Sequence, residues 1–229
     1  MFNYRVHWHA MNGRRLRVAL IGCGQIADAH LQEIRKIRGV QLVAVADSYL
    51  DLAQQAAARF GVPGVFEDLD GLLQQARPDV LHITTPPQTH RPIALEALAR
   101  GVHVYVEKPF TVNAAEADDV IAAAHAHQRL VCVGHDQLFD PAWAECRQLV
   151  ESGILGRIVH VETIQSYDRW GPFGRLTSEP DHWVHRLPGG FFHNTISHGI
   201  YEIADFLPDP QPRIWATWFR SLPPAGFPT

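Results

Sequence analysis

Apolar runs bounded by turn residues alternate along this chain with longer stretches in which apolar residues recur every three or four positions. Val18 to Ile21, Val40 to Ala46, Val65-Phe66, Val80 to Thr84, Val102 to Val106 and Leu130 to Val133 are runs of the first kind. Such runs predict strands buried on both faces, the habit of a parallel sheet. The stretches between them predict helices. The first carries Ile26, Leu31, Ile34 and Ile37 as its apolar positions. Leu50 to Phe60 is closed by Gly61, Leu69 to Ala76 is stopped by Pro78, Arg91 to Ala99 ends at Gly101, and Ala114 to His127 is the last. Glycine just past a helix and proline beyond it are ordinary stop signals. Strand–helix alternation with short loops predicts an α/β fold with a doubly wound parallel sheet, its ligand edge at the strands' C-terminal ends. The loops at 22–27, 47–49, 84–90 and 107–110 then lie along one edge.

The first strand runs straight into Gly22-Cys23-Gly24-Gln25-Ile26-Ala27, a G-x-G-x-x-A turn. Gly22 allows the tight bend, and Gly24 lets the backbone approach a pyrophosphate. Ala27 lets helix and strand pack closely. Gln25 and Ile26 open a helix whose N–H groups and positive dipole end suit phosphates. The second strand ends on Asp47, 20 residues past Ala27. A carboxylate there accepts hydrogen bonds from an adenosine ribose. It would repel a 2′-phosphate, and Ser48-Tyr49 brings no arginine to receive one. NAD is therefore favoured over NADP. A glycine turn of this kind also occurs in unrelated α/β proteins, and it is the strand before, the helix after and the acid beyond that make it specific. A Rossmann domain is predicted over residues 16–134.

At 229 residues the chain has room for one large or two modest domains. It is 46% hydrophobic and 19% charged, the balance of a soluble globular protein rather than a disordered one. Its 20 basic and 24 acidic residues leave a net charge of −4, with no basic block to suggest nucleic acid. No apolar run approaches the ~20 residues of a membrane span. The three cysteines, Cys23, Cys132 and Cys146, form no C-x-x-C pair, and two of them fall in elements expected to be buried. Reduced thiols and a cytoplasmic location are the corresponding expectation. Residues 1–15 read as an N-terminal extension without a signal-peptide apolar core, and Met11 is an alternative start just before the first strand.

Three features coincide: the nucleotide turn, Thr85-Pro86-Pro87-Gln88-Thr89-His90 after the fourth strand, and Glu107-Lys108-Pro109 after the fifth. Together they resemble the glucose–fructose oxidoreductase / inositol dehydrogenase (Gfo/Idh/MocA) family. Phe139-Asp140-Pro141, a connecting helix expected over residues 135–152 up to Gly153, and Ile154-Leu155-Gly156-Arg157-Ile158 leading into a strand expected at 157–165 extend the match. The resemblance implies a second, α+β domain with a mostly antiparallel sheet, here residues 135–229, that supplies the substrate pocket and a homo-oligomer interface. It implies hydride transfer between nicotinamide and a hydroxyl carbon of a sugar, sugar derivative or cyclitol. It places Thr85, Pro86, Glu107, Lys108 and Pro109 beside the cofactor, with Lys108 near the reacting carbon. A cation there stabilises developing alkoxide and can relay its proton. Without the resemblance, Lys108 reads as a surface lysine paired with Glu107. His90 either contacts cofactor or substrate from the strand edge or caps the helix that follows it.

Pro188-Gly189-Gly190 opens a helix reading FFHNTISHGIYEIADFL. The family pattern G-G-G-x-x-x-D-x-x-x-H puts His198 at the histidine and Asn194 at the aspartate, with Pro188 in place of the first glycine. Residues at i and i+4 share a helical face, so Asn194 and His198 can serve one pocket. Histidine is a suitable proton acceptor near neutral pH, whereas an amide can only hydrogen-bond. Asn194 is thus expected to orient substrate and His198 to act as base. The replacement also leaves two alternatives: a glycoside-cleaving enzyme that keeps NAD bound, and a nucleotide-binding homologue without catalysis. The loop at 166–188 holds Tyr167, Asp168, Arg169, Trp170, Phe173, Arg175, His182, Trp183, His185 and Arg186. Its aromatic faces and charges suit sugar binding, or simply pack on one another. His182-x-x-His185, His193 and His198 lack the spacing of a zinc site, and no metal is expected. One more strand is expected at Arg213 to Arg220, where the chain reads as stopping partway through the second domain.

Overall fold

The computed structural model describes residues 14–166, Gly174 and residues 178–207. The expectations for residues 1–13, for Tyr167, Asp168, Arg169, Trp170, Phe173 and Arg175, and for the strand at Arg213 to Arg220 lie outside the described residues. Six strands form one parallel sheet: β1 (Leu16–Ile21), β2 (Val40–Ala46), β3 (Gly64–Phe66), β4 (Val80–Ile83), β5 (His103–Val106) and β6 (Val131–Val133). Their order is β3-β2-β1-β4-β5-β6. The chain winds outward from β1 in one direction and then, from β4, in the other. A crevice opens where the two directions part, beyond the C-terminal ends of β1 and β4.

The apolar runs fill both faces of this sheet. Leu20 and Val45 face one side, where they pack with Leu31, Ala53, Ala56 and Val62. Ala19, Ile21, Leu81, Ile83, Val104 and Val106 face the other and pack with Ala94, Ala97, Leu98 and Val120. The alternation of Ala19, Leu20 and Ile21 between these cores is the two-residue period of a strand covered on both sides. The covering helices are α1 (Ala27–Ile34), α2 (Leu50–Phe60), α3 (Leu69–Gly71, continued by a wider turn over Leu72–Ala76), α4 (His90–Ala99) and α5 (Ala114–Ala126). Gly61 closes α2 in the left-handed conformation, at φ +67°.

Several expectations need correction. Ile26 and Ile37 are 45% and 50% exposed. The helix runs only from Ala27 to Ile34, so Ile26 stands at its N-cap and Ile37 lies past its end. Cys132 is exposed although it sits on a strand, because β6 is the sheet's edge; only Cys23 is buried. Residues 135–152 are not one helix. A 3-10 turn (Asp136–Phe139) precedes α6 (Pro141–Glu151), because Pro141 fits the first turn of a new helix and cannot continue an old one.

The strand expected at 157–165 does not form, and the described residues contain no antiparallel sheet. A strand needs a neighbour to take its hydrogen bonds. Here Val159 and Ile164 are 75% and 82% exposed, and the segment instead touches the long helix α7 (Gly190–Phe206). Thr163 Oγ1 donates to Glu202 Oε2 at 2.8 Å, and a Cβ on Gly199 would come within 2.8 Å of Thr163 Cγ2. The helix is also fastened to α6: Arg147 gives two hydrogen bonds to the Asp205 carboxylate, at 2.6 and 2.9 Å, and Trp143 Nε1 adds a third at 2.7 Å. No helix among the described residues is long and apolar enough to cross a membrane.

The bend after β1 is the tightest point of the frame. Gly22 has φ +98°, and a Cβ there would lie 2.6 Å from Thr85 N and 2.7 Å from Thr84 C. Thr84 Oγ1 donates to the Gly22 carbonyl at 2.7 Å, so the two strand ends are pinned at this distance. Gly22→Ala should therefore cost about 2–4 kcal/mol, from backbone strain plus overpacking against a main chain that cannot yield. The urea midpoint of unfolding should fall accordingly. An unchanged midpoint would mean that the bend tolerates a side chain.

Candidate functional site

One cavity of about 890 Å3 occupies the crevice. Gly22, Gly24, Gln25, Ile26, Asp47, Thr85, Pro86, Glu107, Lys108 and Asn194 all line it. At one end lies the glycine turn. A Cβ on Gly24 would meet nothing within 4 Å, so the backbone there faces open space. No side chain caps the start of α1; Ala27 N donates to the Gly24 carbonyl at 3.1 Å, and the N–H groups that follow it suit an anion. Ala27 does not line the cavity; it is fully buried where the helix meets the sheet.

Asp47 ends β2 beside this turn. Its Oδ2 accepts from Cys23 N at 2.7 Å and its Oδ1 from Tyr49 N at 2.8 Å. Two backbone donors thus fix the carboxylate, and each oxygen keeps a lone pair for a further donor. These observations fit a dinucleotide: open backbone for the pyrophosphate, a helix start for its charge, and an oriented acid for a ribose diol.

At the other end, Glu107 and Lys108 follow β5, and the Lys108–Pro109 peptide is cis. Lys108 Nζ donates to the Asn194 main-chain carbonyl at 3.4 Å. Burial lowers the Lys108 pKa below the usual lysine range, while the carboxylates of Glu107 and Asp136 act in the other direction. Burial likewise works against the charge of Glu107. The hydrogen bond and charge of His30, followed by the Lys108 N–H bond and the Lys108 charge, outweigh it and hold the carboxyl below its ordinary value. Asn194 is buried and lines the cavity, whereas His198, one turn further along α7, is buried behind it and does not. Burial, then the Lys108 charge, lowers the His198 pKa, so the ring is neutral at pH 7.

The His90 side chain neither caps α4 nor faces the cavity. Its Nε2 lies 2.7 Å from the Thr85 carbonyl, and its Nδ1 lies 3.1 and 3.2 Å from those of Pro109 and Phe110. One fully buried ring therefore joins the loop after β4 to the loop after β5. Of the aromatic loop, His182 and Trp183 reach the cavity, with Trp183 held through its carbonyl by Gln88 Nε2 at 3.0 Å.

Four residues near the site carried no sequence signal. Asp136 and Tyr201 meet behind His198. Their one available cue was position, since Asp136 follows the C-terminal end of β6 and so belongs to the ligand edge. His30 and His82 lie beneath Glu107. His30 Nε2 meets Glu107 Oε1 at 2.9 Å, its Nδ1 is 3.1 Å from His82 Nδ1, and His82 stacks on Tyr105 at 4.6 Å.

Burial first, and positive charge on His30 second, push the His82 pKa from 6.5 to about 3. Between those values the unfolded chain binds a proton that the folded chain refuses. The stability His82 contributes is then complete above pH 6.5 and is lost as pH falls toward 3. Denaturation midpoints should drop across that window, and His82→Phe should flatten the drop. A variant with the wild-type slope would show that another group drives it.

Known proteins resemble this chain in sequence and in fold. The sequence profile of the Gfo/Idh/MocA oxidoreductases, described as having an NAD-binding Rossmann fold, matches residues 16–135. Inositol 2-dehydrogenase 4 of Saccharopolyspora erythraea is 39% identical over 151 residues, 64% of this chain and 44% of its own. D-glucoside 3-dehydrogenase of Escherichia coli is 33% identical over 170 residues, 72% of this chain and 48% of its own. The chain thus spans about half the length of these relatives. The crystal structure of scyllo-inositol dehydrogenase from Lactobacillus casei, with bound NAD(H) and scyllo-inositol, superposes with a TM-score of 0.59 at 27% identity, covering 62% of this chain and 43% of that one. With the profile matched across the whole parallel sheet and its glycine turn, the chain belongs to the Gfo/Idh/MocA family of oxidoreductases, whose NAD-binding Rossmann domain it carries.

Proposed function

We propose that this protein is an NAD-dependent dehydrogenase that moves a hydride between the hydroxyl-bearing carbon of a sugar, sugar derivative or cyclitol and the nicotinamide. The observation that carries this reading is the continuity of one cavity from Asp47, past Gly24, to Lys108 and Asn194. NAD bound along it supplies the hydride acceptor. Asp47 holds the adenosine ribose, the start of α1 takes the pyrophosphate, and Thr85 and Pro86 form the wall between the two ends.

The chain's own groups then handle the proton. Oxidation of an alcohol sends a hydride from carbon and releases a proton from oxygen. The Lys108 ammonium lowers the energy of the alkoxide as it develops. Asn194, a neutral amide, offers a donor and an acceptor to the substrate's hydroxyls and takes no proton. His198 is the proton's destination; because it lies behind Asn194 and outside the cavity lining, the proton reaches it through Lys108, which passes one proton on as it takes up the substrate's. Trp183 offers an aromatic face of the kind that covers sugar C–H groups. Inositol and glucoside dehydrogenases are among the family relatives, which supports a polyhydroxylated ring as substrate.

The test is NADH formation, followed by absorbance, across a panel of inositols, hexoses and glycosides. Turnover with a ring polyol and NAD is the expected result. NAD binding without turnover on any member of the panel would overturn the dehydrogenase reading, and failure to bind NAD would overturn all of it.

A further inference from the structure

In this family's motif an aspartate stands where this chain has Asn194, so α7 brings no carboxylate of its own at that position. Another acid approaches His198 from a different element. His198 Nδ1 meets the Tyr201 hydroxyl in a short hydrogen bond. The same hydroxyl lies 3.5 Å from Asp136 Oδ1 and 3.3 Å from Gln137 Oε1. Asp136 and Gln137 belong to the 3-10 turn after β6, and the neighbouring His135 ring stacks on Tyr201 at 4.4 Å.

A carboxylate and an amide oxygen can only accept. When the one hydroxyl proton of Tyr201 turns toward them, its oxygen accepts from His198 Nδ1–H. We propose that Tyr201 and Asp136 are positioning residues: together they fix His198 as the Nδ1–H tautomer, which leaves the Nε2 lone pair to receive the proton relayed from the cavity, and the Asp136 charge supports the imidazolium that results. The inference rests on the reading of His198 as proton acceptor given above. An acid held behind a histidine through an intervening group orients and charges the ring without touching substrate.

The charges that face His198 fall into two sets. Lys108, from the loop after β5, disfavours the imidazolium. Asp136, Glu202 on α7 and Glu107 favour it, with Asp136 the largest of the three. Removing the Asp136 charge must then lower the affinity of His198 for a proton.

The experiment is a nitrogen-15 NMR titration of the histidines in the full-length, ligand-free chain. The His198 signals are assigned by their loss in His198→Gln. Asp136→Asn should lower the His198 pKa by about half a unit to one unit. Tyr201→Phe, which keeps the ring and removes the hydroxyl, should bring the Nδ1 and Nε2 shifts together as the tautomers mix. Wild-type pKa and wild-type tautomer in either variant would overturn the proposal. If Tyr201→Phe does not fold, Asp136→Asn alone decides. A purely structural role predicts a lower melting temperature with the titration unmoved. Both readouts come from protein without substrate, so a protein that turned over nothing would refute the dehydrogenase reading and leave this one to be judged on its own signals.

Discussion

Lys108→Ala should lower kcat/KM on the best polyol substrate by about 10^3-fold while NAD affinity stays within a few-fold. The ammonium sits in a pocket that burial makes hostile to charge, and the nearby carboxylates of Glu107 and Asp136 keep it there. Its one direct hydrogen bond in the described structure is the long contact to the Asn194 carbonyl, 3.4 Å, a loose hold that a substrate oxygen can displace. A cation in water-poor surroundings acts on a developing alkoxide far more strongly than a solvated one. The substitution removes this effect and leaves the nucleotide's grip intact, since the proposed grip lies around Asp47 and the start of α1. The two measurements separate the roles: steady-state kinetics for the chemistry, titration calorimetry for NAD. A loss of less than tenfold would take Lys108 out of the mechanism. A parallel loss of NAD binding would make it a cofactor ligand instead.

The second large effect is expected at Asp47. Its carboxylate is already oriented by Cys23 N and Tyr49 N, so it meets a ribose diol without reorganising. Two charge-assisted hydrogen bonds, each worth about 1.5–3 kcal/mol, correspond to a loss of roughly 10^2-fold or more in NAD affinity for Asp47→Ala. NADP should respond in the opposite sense, because the repulsion of its 2′-phosphate disappears along with the acid. The preference for NAD over NADP, read as a ratio of dissociation constants, should collapse toward unity. If both constants rise together, Asp47 is holding the loop rather than the ribose. If neither moves, the adenosine lies elsewhere.

The parallel sheet was legible because each of its parts is local. An apolar run, a glycine bend and a capped helix each carry their own chemistry within a dozen residues, and α2 and α5 begin and end within a residue of where their stop signals place them. Asp47 was legible for the same reason, since its distance from the turn is fixed by one helix and one strand. The site's other end was only half legible. Asn194 and His198 share a helix, so their spacing could be read, but the approach of Asp136 to Tyr201 joins two elements that no sequence spacing relates. His30 looks like an ordinary polar position on α1 until the fold sets Glu107 above it. The strand expected at 157–165 misled in the other direction: Ile158, Val159, Val161 and Ile164 alternate only imperfectly, a strand needs another strand to pair with, and α7 takes the contact instead.

Asn194, His198 and Tyr201 follow one another along α7 at intervals of four and three residues, a single stripe of one helix. No residue of that stripe belongs to the sheet or to the bend that grips the nucleotide. Under the proposed mechanism, heritable variation confined to it retunes which hydroxyl gives up its proton, or abolishes that step, without disturbing the proposed hold on the dinucleotide. The molecule is, on that proposal, divided into a fixed redox handle and an editable acid–base column, and new specificities would be expected to arise by rewriting the column.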